Sequence, residues 1–205
     1  MKAFFRAALA ALLVLAAAAH AQGSSRSLLL VARPGLPDPN FRESVVLVMQ
    51  SEGGETTGVI INRPTNRSLA DLLPTERFES FTDPIFFGGP VAPQGLFALF
   101  RAEKNPGGAL PVLPGIYLAL LPDSVDALLG KPPARIRFFS GYSGWAPGQL
   151  QGELDRGDWL VVEADEKTIF LKDTSQLWQD MVRRARAVRA DAASAVLAAA
   201  TSSGR

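Results

Sequence analysis

The stretch Ser44-Val45-Val46-Leu47-Val48-Met49-Gln50 has five consecutive apolar residues, three of them valine. Valine favours strands because its branched Cβ packs well on a pleated surface. Residues 52–55, Glu-Gly-Gly-Glu, follow, and two glycines in a short polar connection are typical of a turn. Residues 57–62, Thr-Gly-Val-Ile-Ile-Asn, then resume the apolar, β-branched pattern. The sequence therefore predicts a β-hairpin over 44–62.

The rest of the chain alternates short apolar runs with connections rich in Gly and Pro, which is typical of strands joined by short turns. Further strands are predicted at 27–32, 85–87, 95–101, 116–121, 134–140 and 159–162. The segment 134–140 alternates apolar and charged residues, as a half-exposed strand does.

Helices are predicted between these strands and at the end of the chain. A short helix follows Ser68 as N-cap, a second spans 123–129 with Asp123 as N-cap, and a third spans 147–156. A long helix follows Thr174, with one apolar face made of Leu177, Trp178, Met181, Val182, Ala185 and Val188. Strands and helices do not alternate regularly, so the pattern indicates a single α+β domain rather than a doubly wound parallel sheet.

The first 21 residues are typical of a secretory signal peptide. Lys2 and Arg6 form a basic start, residues 7–19 are apolar, and Ala19-His20-Ala21 is a small-x-small cleavage site. We expect cleavage after Ala21 and a periplasmic or secreted protein that begins at Gln22; a cytoplasmic protein that keeps its N-terminus is the alternative. No other stretch approaches the length of an apolar membrane helix, so we expect no membrane span in the mature chain.

Loss of the first 21 residues would also limit the types of catalytic and metal site that the protein can form. His20 is the only histidine and there is no cysteine, so residues 22–205 contain neither. This composition excludes Ser-His-Asp and Cys-His catalysis and zinc sites of the usual His/Cys type. Neither a P-loop nor a dinucleotide-binding glycine motif occurs. We expect no cofactor and no metal, and a formal charge that changes from +1 to −1 as Lys2 and Arg6 are lost.

Four motifs, in order, show a resemblance to a known family. They are Leu36-Pro37-Asp38-Pro39-Asn40-Phe41, Gly58-Val59-Ile60-Ile61-Asn62-Arg63-Pro64, Phe86-Phe87-Gly88-Gly89-Pro90-Val91, and Gly141-Tyr142-Ser143-Gly144-Trp145-Ala146-Pro147-Gly148-Gln149-Leu150. Together they resemble the YqgE/AlgH family over about residues 27–182. The resemblance implies a compact α+β fold with a barrel-like mixed β-sheet, short flanking helices and a long C-terminal helix. Members carry the label of transcriptional regulator, and the resemblance implies no catalytic residue set.

The sequence departs from this family at both ends. We divide it into a signal peptide at 1–21, a YqgE/AlgH-like domain at 22–182, and an Arg/Ala-rich extension at 183–205 that is helical or disordered. Four arginines within 183–189 could bind an acidic partner, or could lie on a solvated helix face. Because an exported protein does not meet chromosomal DNA, we expect no nucleic-acid partner if the signal peptide is used.

The sequence Asn62-Arg63-Pro64 ends a predicted strand and permits two interpretations. Arginine offers a planar fork of donors and asparagine a mixed amide, so the pair could hold an anion or ligand. Alternatively, Asn62 closes a turn and Arg63 pairs with a carboxylate, which we favour because no phosphate-binding glycine pattern accompanies them. We likewise interpret Gly88-Gly89-Pro90 as a tight turn, in preference to a loop that binds a ligand.

The segment 141–150 contains a second candidate site. Ser143 lies in a motif close to a nucleophile elbow, but no histidine is available to accept its proton. Tyr142 and Trp145 could form a recognition surface with Gln149 and Glu153, which are one helical turn apart. The alternative is a glycine turn whose Trp145 fills the core.

These observations support one leading function and two alternatives. The leading hypothesis is an exported, non-catalytic domain that binds a small ligand or an envelope protein. The alternatives are the family's label of transcriptional regulator and an enzyme that uses carboxylates, with or without an oxygen-bound metal. The candidate binding residues are Asn40, Asn62, Arg63, Tyr142, Trp145 and Gln149, with no catalytic residue assigned.

Overall fold

The computed structural model describes residues 27–50, 55–73 and 75–202. The predicted signal peptide and the Gly53-Gly54 turn lie outside these residues. Within them the chain forms ten strands: β1 (Leu28–Ala32), β2 (Val45–Gln50), β3 (Thr56–Ile60), β4 (Pro64–Ser68), β5 (Pro84–Phe87), β6 (Val91–Arg101), β7 (Ala109–Leu113), β8 (Ile116–Ala119), β9 (Ile136–Trp145) and β10 (Trp159–Glu163).

In the same described residues, five helices interrupt or follow these strands: α1 (Leu69–Leu72), α2 (Pro122–Gly130), α3 (Gln149–Asp155), α4 (Glu166–Ile169) and α5 (Leu177–Ser202). A 3₁₀ turn spans Glu76–Phe78. No helix in the described part of the chain is long and apolar enough to cross a membrane.

The strands form one sheet in the order β10-β1-β2-β3-β9-β6-β8-β7, with β5 beside β9 and β4 beside β5. Neighbours are antiparallel except β5 and β9, which run parallel. The sheet curls into a half-barrel, so that the hydroxyl of Ser27 next to β1 donates to the carbonyl of Val112 in β7. The prediction of an α+β domain with a barrel-like mixed sheet is confirmed.

The hairpin of β2 and β3 lies where the sequence predicts it, with Val46 opposite Ile60 and Leu47 opposite Val59. Alternate residues of β2 enter different cores: Leu47 packs with α5 and the inside of the half-barrel, whereas Val46 packs under the tryptophans of β9 and β10. Both faces of the strand are therefore covered, which explains why its sequence is continuously apolar rather than alternating.

The helices cover the sheet with the faces that their sequences indicate. Ser68 caps α1 in a reciprocal capping box with Asp71, as expected for a Ser N-cap. In α5, the predicted apolar stripe is buried at Leu177, Met181, Val182 and Ala185. The stripe then leaves the sheet, since the side chain of Val188 is 55% exposed.

Two local predictions are wrong. Asp123 does not cap α2, because the helix begins one residue earlier at Pro122 and its N-cap is Leu121. Residues 134–140 are not a half-exposed strand ending before a glycine turn. The strand β9 begins at Ile136, continues to Trp145 in the middle of the sheet and buries Arg137. Strands β4 and β7 and helix α4 were not predicted, because Pro64, Pro111 and the polar sequence of α4 gave no periodic apolar signal.

Candidate binding sites

Asn62 and Arg63 hold the loop 38–44 from the side of β3. The Asn62 amide accepts from the Val45 backbone N–H at 2.8 Å and donates to the Glu43 carbonyl at 2.9 Å. The Arg63 guanidinium donates to the carbonyls of Asn40 at 2.6 Å and Arg42 at 2.7 Å. Arg63 thus binds backbone oxygens instead of the carboxylate that the sequence interpretation expected.

The same loop presents Phe41 to a pair of buried tryptophans. The Phe41 ring stacks on Trp145 with 5.7 Å between centroids and meets Trp159 edge-on at 5.5 Å. Both indole N–H groups donate to one atom, Oε2 of Glu153, at 2.8 Å each. Gln149 donates to the other oxygen, Oε1, at 3.1 Å. Glu153 therefore joins α3 to β9 and β10.

Five of the six candidate residues consequently lie around one loop: Asn40, Asn62, Arg63, Trp145 and Gln149. The side chains of Asn62, Arg63, Trp145 and Gln149 are directed at the backbone of residues 38–45 and at Glu153, whereas Asn40 contributes its backbone carbonyl. Removal from water lowers the pKa of Arg63, and neighbouring Arg42 lowers it further. This arrangement, which we call the 38–44 clasp, shapes the loop and covers one face of the sheet.

Tyr142 lies elsewhere, which corrects its grouping with Trp145. The two residues are three positions apart on β9, and successive side chains of a strand point to opposite faces. Trp145 therefore packs outside the half-barrel while the Tyr142 ring meets Phe97 edge-on at 5.4 Å on the other side. The sequence interpretation failed because it placed both residues in a turn, where this alternation does not apply.

The Tyr142 ring lines a groove of about 420 Å³ between the start of β6 and the start of α2. The other lining residues are Ala92, Gly95, Leu96, Phe97, Leu120, Pro122, Val125 and Asp126. Val91 and Leu121, next to the lining residues in the chain, are exposed apolar side chains. We call this feature the Tyr142 groove. Apart from Tyr142 its residues were not predicted, because they come from segments far apart in sequence.

The backbone on the β6 side of the groove departs from regular strand geometry. Val91 pairs with Tyr142, but the register slips before Leu96 pairs with Ser140. Ala92 between them has φ of 45°, a left-handed conformation that costs of order 1 kcal/mol for a residue with a Cβ. A Cβ on Gly95 would lie 2.8 Å from the ring of Phe97, so glycine leaves the room there.

The glycines at 88–89 and 141 permit close approach of two backbones rather than contact with a ligand. A Cβ on Gly88 would collide with the carbonyl oxygen of Gly141, and a Cβ on Gly141 would collide with that of Gly89. Ser143 is fully buried and donates to the Gly88 carbonyl at 3.0 Å. Its hydroxyl is thus part of the same contact and does not face solvent.

Arg137 is a buried cation that sequence reasoning did not single out. Its guanidinium donates at 2.7 Å to the carbonyls of Ile169 and Leu171, at and just after the C-terminus of α4, and lies 4.3 Å from the Phe86 ring centroid. Burial lowers the pKa of Arg137 to about 10, a value that still leaves it charged at neutral pH. Its place at a helix C-terminus, where cations are favourable, indicates a structural role.

A second recess, of about 480 Å³, is lined by Arg101, Ala102, Glu103 and Gly115. Arg101 and Arg135 both pair with Glu166, which holds the pKa of that carboxyl below its usual value. Two of its four lining residues are charged, and its guanidinium is already engaged by a carboxylate. Among the described residues no group of three or more acidic, His or Cys side chains is arranged to hold a metal.

A family model described as AlgH-like (DUF179) matches residues 29–188. The chain belongs to the AlgH-like family. This confirms the resemblance to YqgE/AlgH proteins that the four motifs indicate. A UPF0301 protein of Myxococcus xanthus is 36% identical over 163 residues, which cover 76% of this chain and 87% of the relative. Another UPF0301 protein, of Nocardia farcinica, is 37% identical over 169 residues, which cover 76% and 75% of the two chains.

Two solved structures share the fold. The solution structure of the AlgH protein from Pseudomonas aeruginosa is 27% identical, with a TM-score of 0.63 over 78% of this chain and 87% of that one. A crystal structure of a Corynebacterium diphtheriae protein is 23% identical, with a TM-score of 0.62 over 80% and 88% of the two chains. This chain therefore shares its overall fold with these two proteins, one of which is an AlgH protein.

Proposed function

We propose that this AlgH-like protein is an exported, non-catalytic binding domain whose ligand site is the Tyr142 groove. The observation that carries the proposal is the groove itself: a concave, mainly apolar surface of about 420 Å³ with a phenol and one carboxylate at its edge. Small-molecule sites in proteins have this composition and a volume of about 300–1,000 Å³.

The strained backbone beside the groove supports the same assignment. A left-handed alanine at Ala92 and a glycine at Gly95 that a Cβ would crowd both shape one wall. Strain of this kind concentrates at sites where function requires a particular geometry. By contrast, the 38–44 clasp directs its polar groups inward, so we assign it the task of holding the loop and α3 rather than a ligand.

The non-catalytic part of the proposal rests on what the nucleophile candidates do. The Ser143 hydroxyl is buried against the Gly88 carbonyl, and residues 22–205 offer neither His nor Cys to activate a hydroxyl. The Glu153 carboxylate already accepts from two indoles and one amide. These groups have structural partners in place of substrates.

Binding at the groove can be tested by NMR titration of the full chain with a library of small soluble fragments. We expect a subset of fragments to shift amide signals of the groove. The variant Leu96→Trp, which replaces an aliphatic side chain of the groove with a bulkier indole ring, should abolish those shifts. The variant Val188→Trp adds the same ring at an exposed site on α5 and should leave them unchanged. Fragments that shift only other regions, or that bind Leu96→Trp equally well, would refute the groove assignment.

Export is tested separately by fractionating cells that express the full chain and sequencing the N-terminus of the recovered protein. A periplasmic product that begins at Gln22 is the expected result. A cytoplasmic product that retains Met1 would refute export while leaving groove binding intact. It would also reopen the alternative of a DNA-binding regulator, which salt-dependent DNA binding by the purified chain would then support.

A further inference from the structure

We propose that the Tyr142 groove selects a small organic cation, with an ammonium or amidinium group on an apolar body of about the size of one ring. This inference rests on the proposed function, because it names the class of ligand for the same site. It is carried by the charge and chemistry of the lining residues.

The charge of the groove comes from Asp126. Asp126 is exposed, and its carboxylate makes no hydrogen bond or ion pair within the part of the chain that the structure describes. The start of α2 does not account for it, since the helix begins at Pro122 and the acidic residue in its first turn is Asp123. None of the lining residues is Lys or Arg. The groove therefore carries one carboxylate without an ionic partner among the described residues, which complements a cation and opposes an anion.

The aromatic ring acts in the same direction. Tyr142 lines the groove, and the face of a tyrosine ring attracts ammonium and guanidinium groups through its quadrupole. Leu96, Phe97 and Val125 supply apolar contacts for the remainder of the ligand. A neutral apolar molecule would use only these contacts, whereas an organic cation would use the contacts, the carboxylate and the ring together.

Three probes with one phenyl body and different charges test the inference on the full chain. They are phenethylammonium, 2-phenylethanol and 3-phenylpropionate, titrated at pH 7 while the amide signals of the groove are followed by NMR. We expect phenethylammonium to bind about fivefold more tightly than 2-phenylethanol, from one exposed ion pair and a cation–π contact. The anion 3-phenylpropionate should bind more weakly than the alcohol.

The variant Asp126→Asn keeps the shape of the side chain and removes its charge. We expect it to abolish most of the preference for phenethylammonium while leaving binding of 2-phenylethanol unchanged. The matched control, Asp123→Asn, removes the same charge one turn earlier on α2 and should retain the preference.

The other outcomes contradict either the preference for a cation or the groove as a ligand site. If the alcohol and the ammonium shift the groove equally, or if Asp126→Asn retains the preference, the cation inference is wrong and the groove remains a ligand site. If none of the three probes shifts a groove amide at millimolar concentration while the fragment library does, the cation inference is again wrong. If neither the probes nor the library shift the groove, the proposed function fails as well.

Discussion

Replacement of Glu153 by alanine removes a carboxylate, one oxygen of which accepts from two buried indoles. Trp145 and Trp159 are 4% and 2% exposed, and each donates its indole N–H to Glu153 Oε2 at 2.8 Å. After the substitution both N–H groups lose their acceptor. Glu153 should therefore contribute far more to stability than an ordinary surface carboxylate does.

The expected magnitude follows from the two bonds. A hydrogen bond to a charged group contributes about 1.5–3 kcal/mol. Because Glu153 is only half-buried, water can enter part of the vacated space, and we take the lower end for each bond. We expect Glu153→Ala to lower the free energy of unfolding by about 3 kcal/mol, which is about 6–12 °C in Tm for a domain of this size.

The variant Glu153→Gln separates the charge from the acceptor. Its amide oxygen can replace Oε2 beneath both indoles, so only the charge-assisted part of the bonds is lost and we expect about 1 kcal/mol. The control is Asp155→Ala, two residues later on α3. Asp155 is exposed and, among the described residues, accepts a side-chain hydrogen bond only from Gln151, so its loss should cost less than about 0.5 kcal/mol.

The assay is equilibrium unfolding in urea at pH 7, followed by tryptophan fluorescence and by far-UV circular dichroism. Trp178 donates to the Ala32 carbonyl and not to Glu153, so its contribution to the fluorescence should be unchanged. The role of Glu153 as the shared acceptor is refuted if Glu153→Ala and Asp155→Ala lower the free energy of unfolding equally. It is also refuted if Glu153→Gln is as destabilised as Glu153→Ala.

Three further predictions concern charge burial, acid stability and backbone contact. Arg137→Met should lower the free energy of unfolding in urea by about 3 kcal/mol, because two carbonyls at the end of α4 lose their donor. The control Arg135→Met, at an exposed arginine, should lower it by less than about 1 kcal/mol. Similar values for the two variants would refute this prediction. Burial alone would raise the pKa of Asp165, but hydrogen bonds from Arg184 and Thr168 outweigh it and lower the pKa below 3.8. The stability that Asp165 contributes is therefore present above pH 3.8 and lost as pH falls through the folded pKa. In Asp165→Asn, the free energy of unfolding should therefore fall less steeply as pH drops below about 4. An equally steep fall in the variant and the parent protein would contradict this prediction. Gly141→Ala should prevent folding at 37 °C because its Cβ meets the Gly89 carbonyl, whereas Gly148→Ala, with a similar φ and open space, should cost about 1 kcal/mol by thermal denaturation.

Much of the fold could be predicted because its signals are local. The β2–β3 hairpin, the Ser68 capping box and the buried stripe of α5 each depend on residues within a few positions of one another. Strand β4 could not be predicted in this way, because it pairs along one edge with β5 and its sequence is polar. The position of β9 in the centre of the sheet was missed for a related reason: it pairs with β3, β5 and β6, and no local pattern reports three partners.

In the candidate site, too, the sequence identified individual residues but not the contacts that they make with distant segments. Asn62, Arg63, Trp145 and Gln149 were identified as polar or aromatic residues in unusual positions, and the structure gives each a specific partner. Their purpose could not be deduced from sequence, because the partners are backbone carbonyls and a glutamate in other segments. The Tyr142 groove was missed almost entirely, since its walls come from β6, the end of β8 and α2.

The sequence by itself determined the family, the fold class, the absence of His and Cys from residues 22–205, and the segments that become buried strands. These properties depend on residue identity and on short-range periodicity, which are present in the unfolded chain. Only the tertiary structure decided that Tyr142 and Trp145 face opposite sides of β9 and that Asp126 lies beside the groove. Such relations arise when the sheet curls and brings distant segments together, because the pleat of a strand and the register of its neighbours then determine which side chains share a surface.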